Sequence, residues 1–181
     1  MARAKSTSGG SSSSSAKHSF FDYLVMIFLA THIPITLLID GQAFLPSSIY
    51  PQAIKDLLAT YVSHFKDPIM GVDARPAWLV WIIGAELMLQ VPYFVLALYA
   101  WYHKHETLMF LNLPLRDATI AYGAHTATTL LPILGTFLTT KGLTDMERYI
   151  LVAIYSPYLI MPLAMMINAL RTPAGSSKKS A

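Results

Sequence analysis

The chain has 181 residues, of which 54% are hydrophobic and 13% charged, with a formal net charge of +3 and a mean hydropathy of +0.47. Soluble domains carry roughly 25% charged residues, so this balance excludes an ordinary water-soluble globule and indicates repeated passage through a membrane. There is no cysteine, which excludes disulfides and thiolate metal sites. The basic residues gather near the ends of apolar runs, where membrane topology accounts for them and nucleic-acid binding is not implied.

Residues 1–19 open with MARAKSTSGGSSSSSAK, a Ser/Gly-rich stretch with too little apolar surface to offset the entropy of ordering. It is predicted to be a disordered tail. The apolar run that follows is too long for a signal peptide and has no small-residue cleavage site after it. That run, from Phe20 to Leu45, is the first predicted membrane span, since a helix needs about 20 apolar residues to cross hydrocarbon. His32, Thr36 and Asp40 recur on it every four residues and so share one face.

The connection from Pro46 to Pro76 is too long to be structureless in a compact bundle. Within it, Ile54, Leu57, Leu58, Tyr61, Val62 and Phe65 follow helical spacing, which predicts a short amphipathic helix on the luminal interface. The second span runs from Ala77 to Tyr102 and carries Glu86 and Gln90 four residues apart. The third, Ala118 to Leu138, has a polar stripe of Tyr122, His125, Thr128 or Thr129, and Pro132. The fourth, Tyr149 to Leu170, places Tyr155, Tyr158 and Pro162 on one face. The architecture expected is therefore all-α, a four-helix membrane bundle.

Four spans put both termini on one side. That side, with the 103–117 loop, holds Arg3, Lys5, Lys17, Lys104, Arg116, Arg171, Lys178 and Lys179, against Lys55, Lys66, Arg75, Lys141 and Arg148 opposite. The bias predicts cytosolic termini. The last residues, KKSA, resemble the dilysine retrieval signal of endoplasmic reticulum membrane proteins.

Hydroxyls inside spans are commonly packing glue, whereas an acid well inside a span marks a functional group. Counting 1.5 Å per residue, Glu86 lies roughly 14 Å below Ala77, near mid-membrane, with Asp40 in the luminal half of its span. Thr129, Tyr155 and Tyr158 fall in the same slab, so the polar faces converge on one chamber. Two close carboxylates in low dielectric cannot both ionise cheaply, and a protonated Glu86 hydrogen-bonded to an ionised Asp40 is expected. No Lys or Arg lies inside a span to neutralise Asp40, which leaves room for a ligand's cation. HKH at 103–105 has ligand spacing but no partner cluster, and no phosphate loop, serine elbow or zinc motif is present, so neither metal nor cofactor is expected.

HIPITLLID (32–40), QAFLP (42–46), FKDP (65–68), ELMLQVPYF (86–94), HTATTLLPIL (125–134) and YSPYLIMP (155–162) together resemble the EXPERA family, to which the sterol isomerase emopamil-binding protein belongs. The likeness covers residues 20–172 in collinear order and leaves the tails at 1–19 and 173–181 outside it. It implies a four-helix fold in the endoplasmic reticulum, often a homodimer, whose pocket takes sterols and lipophilic amines in sterol homeostasis. It also implies that Asp40 pairs with a ligand amine, that Glu86 lies beside it protonated, and that Asp67 supports the site structurally. Gln90, Thr129 and Tyr158 match pocket-lining positions. With His32 and Tyr155 from the polar faces, these residues make up the candidate site.

The same acids could instead serve a sterol double-bond isomerase, Glu86 and Asp40 acting as acid and base. Isomerase-like members place a tryptophan over the reacting ring. Here Trp78, Trp81 and Trp101 all fall near the ends of the second span, which favours binding over turnover.

Overall fold

The computed structural model describes residues 18–71 and 75–173. The predicted tail over residues 1–17 and the lysines at 178 and 179 lie outside them. Helix α1 (Phe20–Leu38) starts at a reciprocal cap. The Ser19 hydroxyl accepts from the Asp22 amide at 3.1 Å, and the Asp22 carboxylate accepts from the Ser19 amide at 2.7 Å. The α-helix ends before Asp40, and the rod continues only as a single 3-10 turn, Asp40–Ala43. The expected span to Leu45 is thus shorter and broken at its acid.

Helix α2 (Gln52–Phe65) is the predicted amphipathic helix, stopped at Lys66 by a left-handed φ of 53°. Helices α3 (Ala77–Ala85) and α4 (Val91–His103) form one rod joined by a π-turn, Glu86–Gln90. Pro92 cannot donate to the carbonyl four residues back, and the Val91 amide reaches five back to the Glu86 carbonyl instead. A two-stranded hairpin, β1 (Thr107–Leu108) with β2 (Leu113–Pro114), links α4 to α5 (Leu115–Thr139). Nothing in the apolar periodicity predicted it.

Helix α6 (Asp145–Tyr155) begins four residues before the expected span at Tyr149. Thr144 and Glu147 form a second reciprocal cap there, and the polar first turn needs no apolar pattern. The chain continues through Ser156 into α7 (Pro157–Arg171). Lys66 forms an ion pair with Glu147, tying the end of α2 to the start of α6.

Among the described residues, three rods are long and apolar enough to cross a bilayer: Phe20–Ala43, Ala77–His103 and Asp145–Arg171. The chain is an all-α polytopic membrane protein. The helix expected as the third span, α5, has 25 residues but does not reach the apolarity of the other three. His125 and its threonines together lower it. Several of the threonines return their hydroxyls to the carbonyl four residues back, as Thr119 does to Leu115 (2.7 Å), Thr128 to Ala124 (2.8 Å) and Thr136 to Pro132 (2.7 Å).

The buried side chains form two clusters. One gathers Val25, Leu29, Phe94, Ala97, Tyr122 and Met165; the other gathers Leu58, Leu79, Ile83, Leu130, Phe137 and Leu151. Helices α5 and α7 pass each other most closely at Gly123, where an added Cβ would lie 2.6 Å from the Met166 Cβ and 2.7 Å from the Pro162 carbonyl. Neither neighbour is a flexible side-chain end, so the helices would have to part. Gly123→Ala should therefore lower the unfolding temperature in detergent, its overpacking cost of about 1–3 kcal/mol exceeding the ~1 kcal/mol gained in helix propensity. Gly135→Ala, which meets nothing within 4 Å, should leave it unchanged or raise it.

Candidate functional site

The break in α1 exposes carbonyls that the chain must satisfy from within. Tyr50 donates its hydroxyl to the Leu37 carbonyl at 3.1 Å, and Gln42 donates its amide to the Leu38 carbonyl at 2.7 Å. Gly41 makes the first possible: a Cβ there would sit 2.5 Å from the Tyr50 hydroxyl. Arg75 donates to the Gln42 carbonyl at 2.6 Å and to the Met70 carbonyl at 3.2 Å, fastening the loop after α2 to the turn. The helix end is thereby held open with Asp40 at its lip.

The π-turn of the second rod faces this break. Thr36 on α1 donates its hydroxyl to Glu86 Oε1 at 3.0 Å, and His32 Nε2 lies 3.3 Å from the same oxygen. One turn on, Gln90 is buried and its Oε1 accepts from the Thr126 hydroxyl of α5 at 3.2 Å. Thr129 donates to the Thr126 carbonyl at 3.1 Å. The His32 ring stacks on Phe94 at 4.6 Å and meets the Tyr158 ring at 4.7 Å.

These residues surround a cavity of about 240 Å³. His32, Asp40, Glu86, Gln90, Thr129, Tyr155 and Tyr158, all singled out from the sequence, line it. The rest of the wall is largely aliphatic, including Ile39, Leu79, Ile83, Leu130 and Ile133. Tyr61 of α2 and Met70 of the following loop also line it and had no polar signal in the sequence. Tyr61 read as one more apolar position of an amphipathic helix, and Met70 belonged to a turn-rich segment. Thr36, assigned to helix packing, is the hydrogen-bond donor to Glu86.

Asp67 does not touch this cavity; it stands behind the wall, 3% exposed. Its Oδ1 accepts from the Ile69 and Met70 amides at 2.9 and 3.0 Å. Its Oδ2 accepts from the Tyr61 and Tyr155 hydroxyls at 3.1 and 2.9 Å. Burial, with Asp67 beside it, pushes the Tyr61 phenol up from its ordinary value, so it stays a donor. In the sequence Asp67 is marked only by the family likeness, and its place in the connection after α2 shows none of its partners. Its four donors come from α2, α6 and the loop between α2 and α3.

The hydrogen bond expected between Glu86 and Asp40 is absent among the described residues, because Thr36 and His32 take Glu86 first. Asp40 is close enough to Glu86 and Asp67 to interact with both electrostatically. Its carboxylate makes no hydrogen bond or ion pair with the described residues. Of the two acids that line the cavity, Glu86 is engaged by donors and Asp40 is not, and Asp67 behind the wall is engaged as well.

Residues 53–169 match the model of the EXPERA (EXPanded EBP superfamily) family. The chain is 39% identical over 163 residues to the Sigma intracellular receptor 2 of Macaca fascicularis and to that of Homo sapiens, covering 84% of this chain and 88% of each relative. It is also 24% identical over 147 residues to the Efficient mitochondria targeting-associated protein 19 of Saccharomyces cerevisiae, covering 76% of this chain and 90% of that protein.

Four donors on one buried carboxylate make Asp67 the joint of the cavity wall. Hydrogen bonds to charged groups contribute roughly 1.5–3 kcal/mol each, though not additively. Asp67→Ala should therefore lower the unfolding temperature sharply, and Tyr155→Phe, which removes one donor, should lower it much less. Thermal unfolding in the same detergent for both variants checks the ranking.

Proposed function

The chain belongs to the EXPERA family, and we propose that it is an intramembrane binding protein for sterols and lipophilic cationic amines, like a sigma-2 receptor, with a role in sterol homeostasis or trafficking. One observation carries this reading. Asp40 offers an unengaged carboxylate to a cavity whose wall is largely aliphatic and aromatic, while Glu86 and Asp67 are held by donors of their own. A charge left unpaired in low dielectric is costly, and an ammonium on an apolar frame removes that cost. Tyr61, Tyr155 and Tyr158 line the same space and add aromatic faces for a cation. Gln90, Thr129 and His32 complete the ligand-facing polar groups, and Asp67 supports the wall through Tyr61 and Tyr155.

The volume bears on the ligand. Sites for drug-sized molecules usually measure roughly 300–1,000 Å³, and this cavity is slightly smaller. A compact amine fits as it stands, whereas a whole sterol needs its side chain to extend into the bilayer or the walls to move apart.

Helix α5 serves in this reading as the third of four spans. Its 25 residues measure roughly 37 Å along the axis, more than the ~30 Å hydrocarbon core. Its self-bonded threonines lower the cost of placing their hydroxyls in hydrocarbon. Four spans put both termini on one side, the Lys/Arg excess there favours the cytosol with α2 on the lumen, and the family likeness supports an endoplasmic reticulum membrane. A homodimer is the expected assembly.

A second reading, the sterol double-bond isomerase, has one observation in its favour: His32 lies 3.3 Å from Glu86, a titratable pair beside the cavity that could pass a proton. Against it, no tryptophan lines the cavity to stabilise a carbocation. The two readings separate in one experiment on purified protein. Asp40→Asn should keep the fold and lose amine affinity by about 100-fold or more, as expected when an ion pair removed from water loses one partner. Retained affinity in a folded variant would overturn the binding site proposed here. Incubation with a Δ8-sterol should leave the double bond in place by mass spectrometry. Conversion that Glu86→Gln abolishes would establish the isomerase instead.

A further inference from the structure

The hairpin between α4 and α5 carries an apolar tip that the cavity does not use. Leu108 is 3% exposed and packs into the first buried cluster, and the Leu115 amide donates to the Glu106 carbonyl at 2.8 Å, so the base of the hairpin is fixed to the body. Beyond that base, Met109, Phe110 and Leu111 are 39%, 89% and 60% exposed. Phe110 and Asn112 both hold left-handed backbone, with φ of 67° and 48°. A bulky aromatic seldom adopts that conformation, and here it aims the ring away from the protein.

We propose that this tip is a membrane wedge: Met109, Phe110 and Leu111 insert into the leaflet at which α4 ends, among the upper acyl chains of the lipids. The position favours that occupant. The hairpin starts four residues after His103, the end of the second apolar rod, so it is continuous with a surface that already faces lipid. Trp101 and Tyr102 lie just before it, the residue types that settle at the boundary of headgroups and hydrocarbon. The polar run His103–Glu106 on one side and Asn112 on the other bracket the tip, as expected of a short apolar segment dipping into an interface.

A second copy of the chain is the poorer occupant. A stable protein interface buries at least roughly 1,000 Å². An aromatic side chain supplies about 150–250 Å², so three residues on a narrow tip fall well short.

The chain has no cysteine, so a single engineered one can be labelled without background. Phe110→Cys, Leu111→Cys and, as a control on the exposed polar side, Glu106→Cys would each carry a nitroxide, with the full chain reconstituted in liposomes. The label at 110 and 111 should be several-fold more accessible to dissolved oxygen, which concentrates in lipid, than to a water-soluble nickel chelate. The label at 106 should show the reverse. Chelate access at 110 and 111 equal to that at 106 would put the tip in water and overturn the proposal. Spin–spin broadening at 110 that disappears on dilution with unlabelled protein would show a second copy there and overturn it equally.

Discussion

In hydrocarbon a polar atom has no water to turn to, and the interior of this protein is organised by that requirement. The threonines of α5 bond back to their own helix. Tyr50 and Gln42 cap the carbonyls freed where α1 stops, and the Val91 amide reaches past Pro92 to the Glu86 carbonyl. Asp67 is buried and accepts four donors. Asp40 is the acid for which this provision is not made, and the cavity is built around it.

Two departures from the α-helix make that cavity. An uninterrupted α1 would carry its own backbone through the space beside Asp40, and an uninterrupted second rod would turn Glu86 and Gln90 to other bearings. The 3-10 turn ends α1 short of that space, and the π-turn is joined to α1 by the hydrogen bond from Thr36 to Glu86. That bond also sorts the acids. By engaging Glu86 it leaves the carboxylate of Asp40 as the acid of the cavity wall without a donor, and so gives two similar residues different surroundings. The wall opposite is held by Asp67 through Tyr61 and Tyr155, so part of what frames the cavity lies outside the apolar rods.

Much of this was legible in the chain itself. The apolar runs located three rods, with the second correct to within a residue at each end, and the helical spacing from Ile54 to Phe65 located α2. The acids at positions 40 and 86 stood out because a carboxylate amid Leu, Ile and Val is expensive to bury without a use. The seven cavity residues were picked on helix periodicity, depth and family likeness. Less legible were Tyr61, Met70 and the hairpin at residues 107–114. Tyr61 reaches the cavity through the tertiary placement of α2 and Met70 through loop geometry, neither of which a local pattern encodes, and a two-residue strand is too short to have one.

What the sequence determined by itself was composition and periodicity: an all-α chain that crosses a membrane, with polar groups stacked on one face of each long helix. Those properties are local, because helix formation and partition into hydrocarbon depend on residues within a few turns. Which acid is engaged and which is left open was decided only by tertiary structure. Thr36 and His32 come from α1, Tyr61 from α2 and Tyr155 from α6, and a hydrogen bond a few ångströms long forms only when packing brings its two ends together.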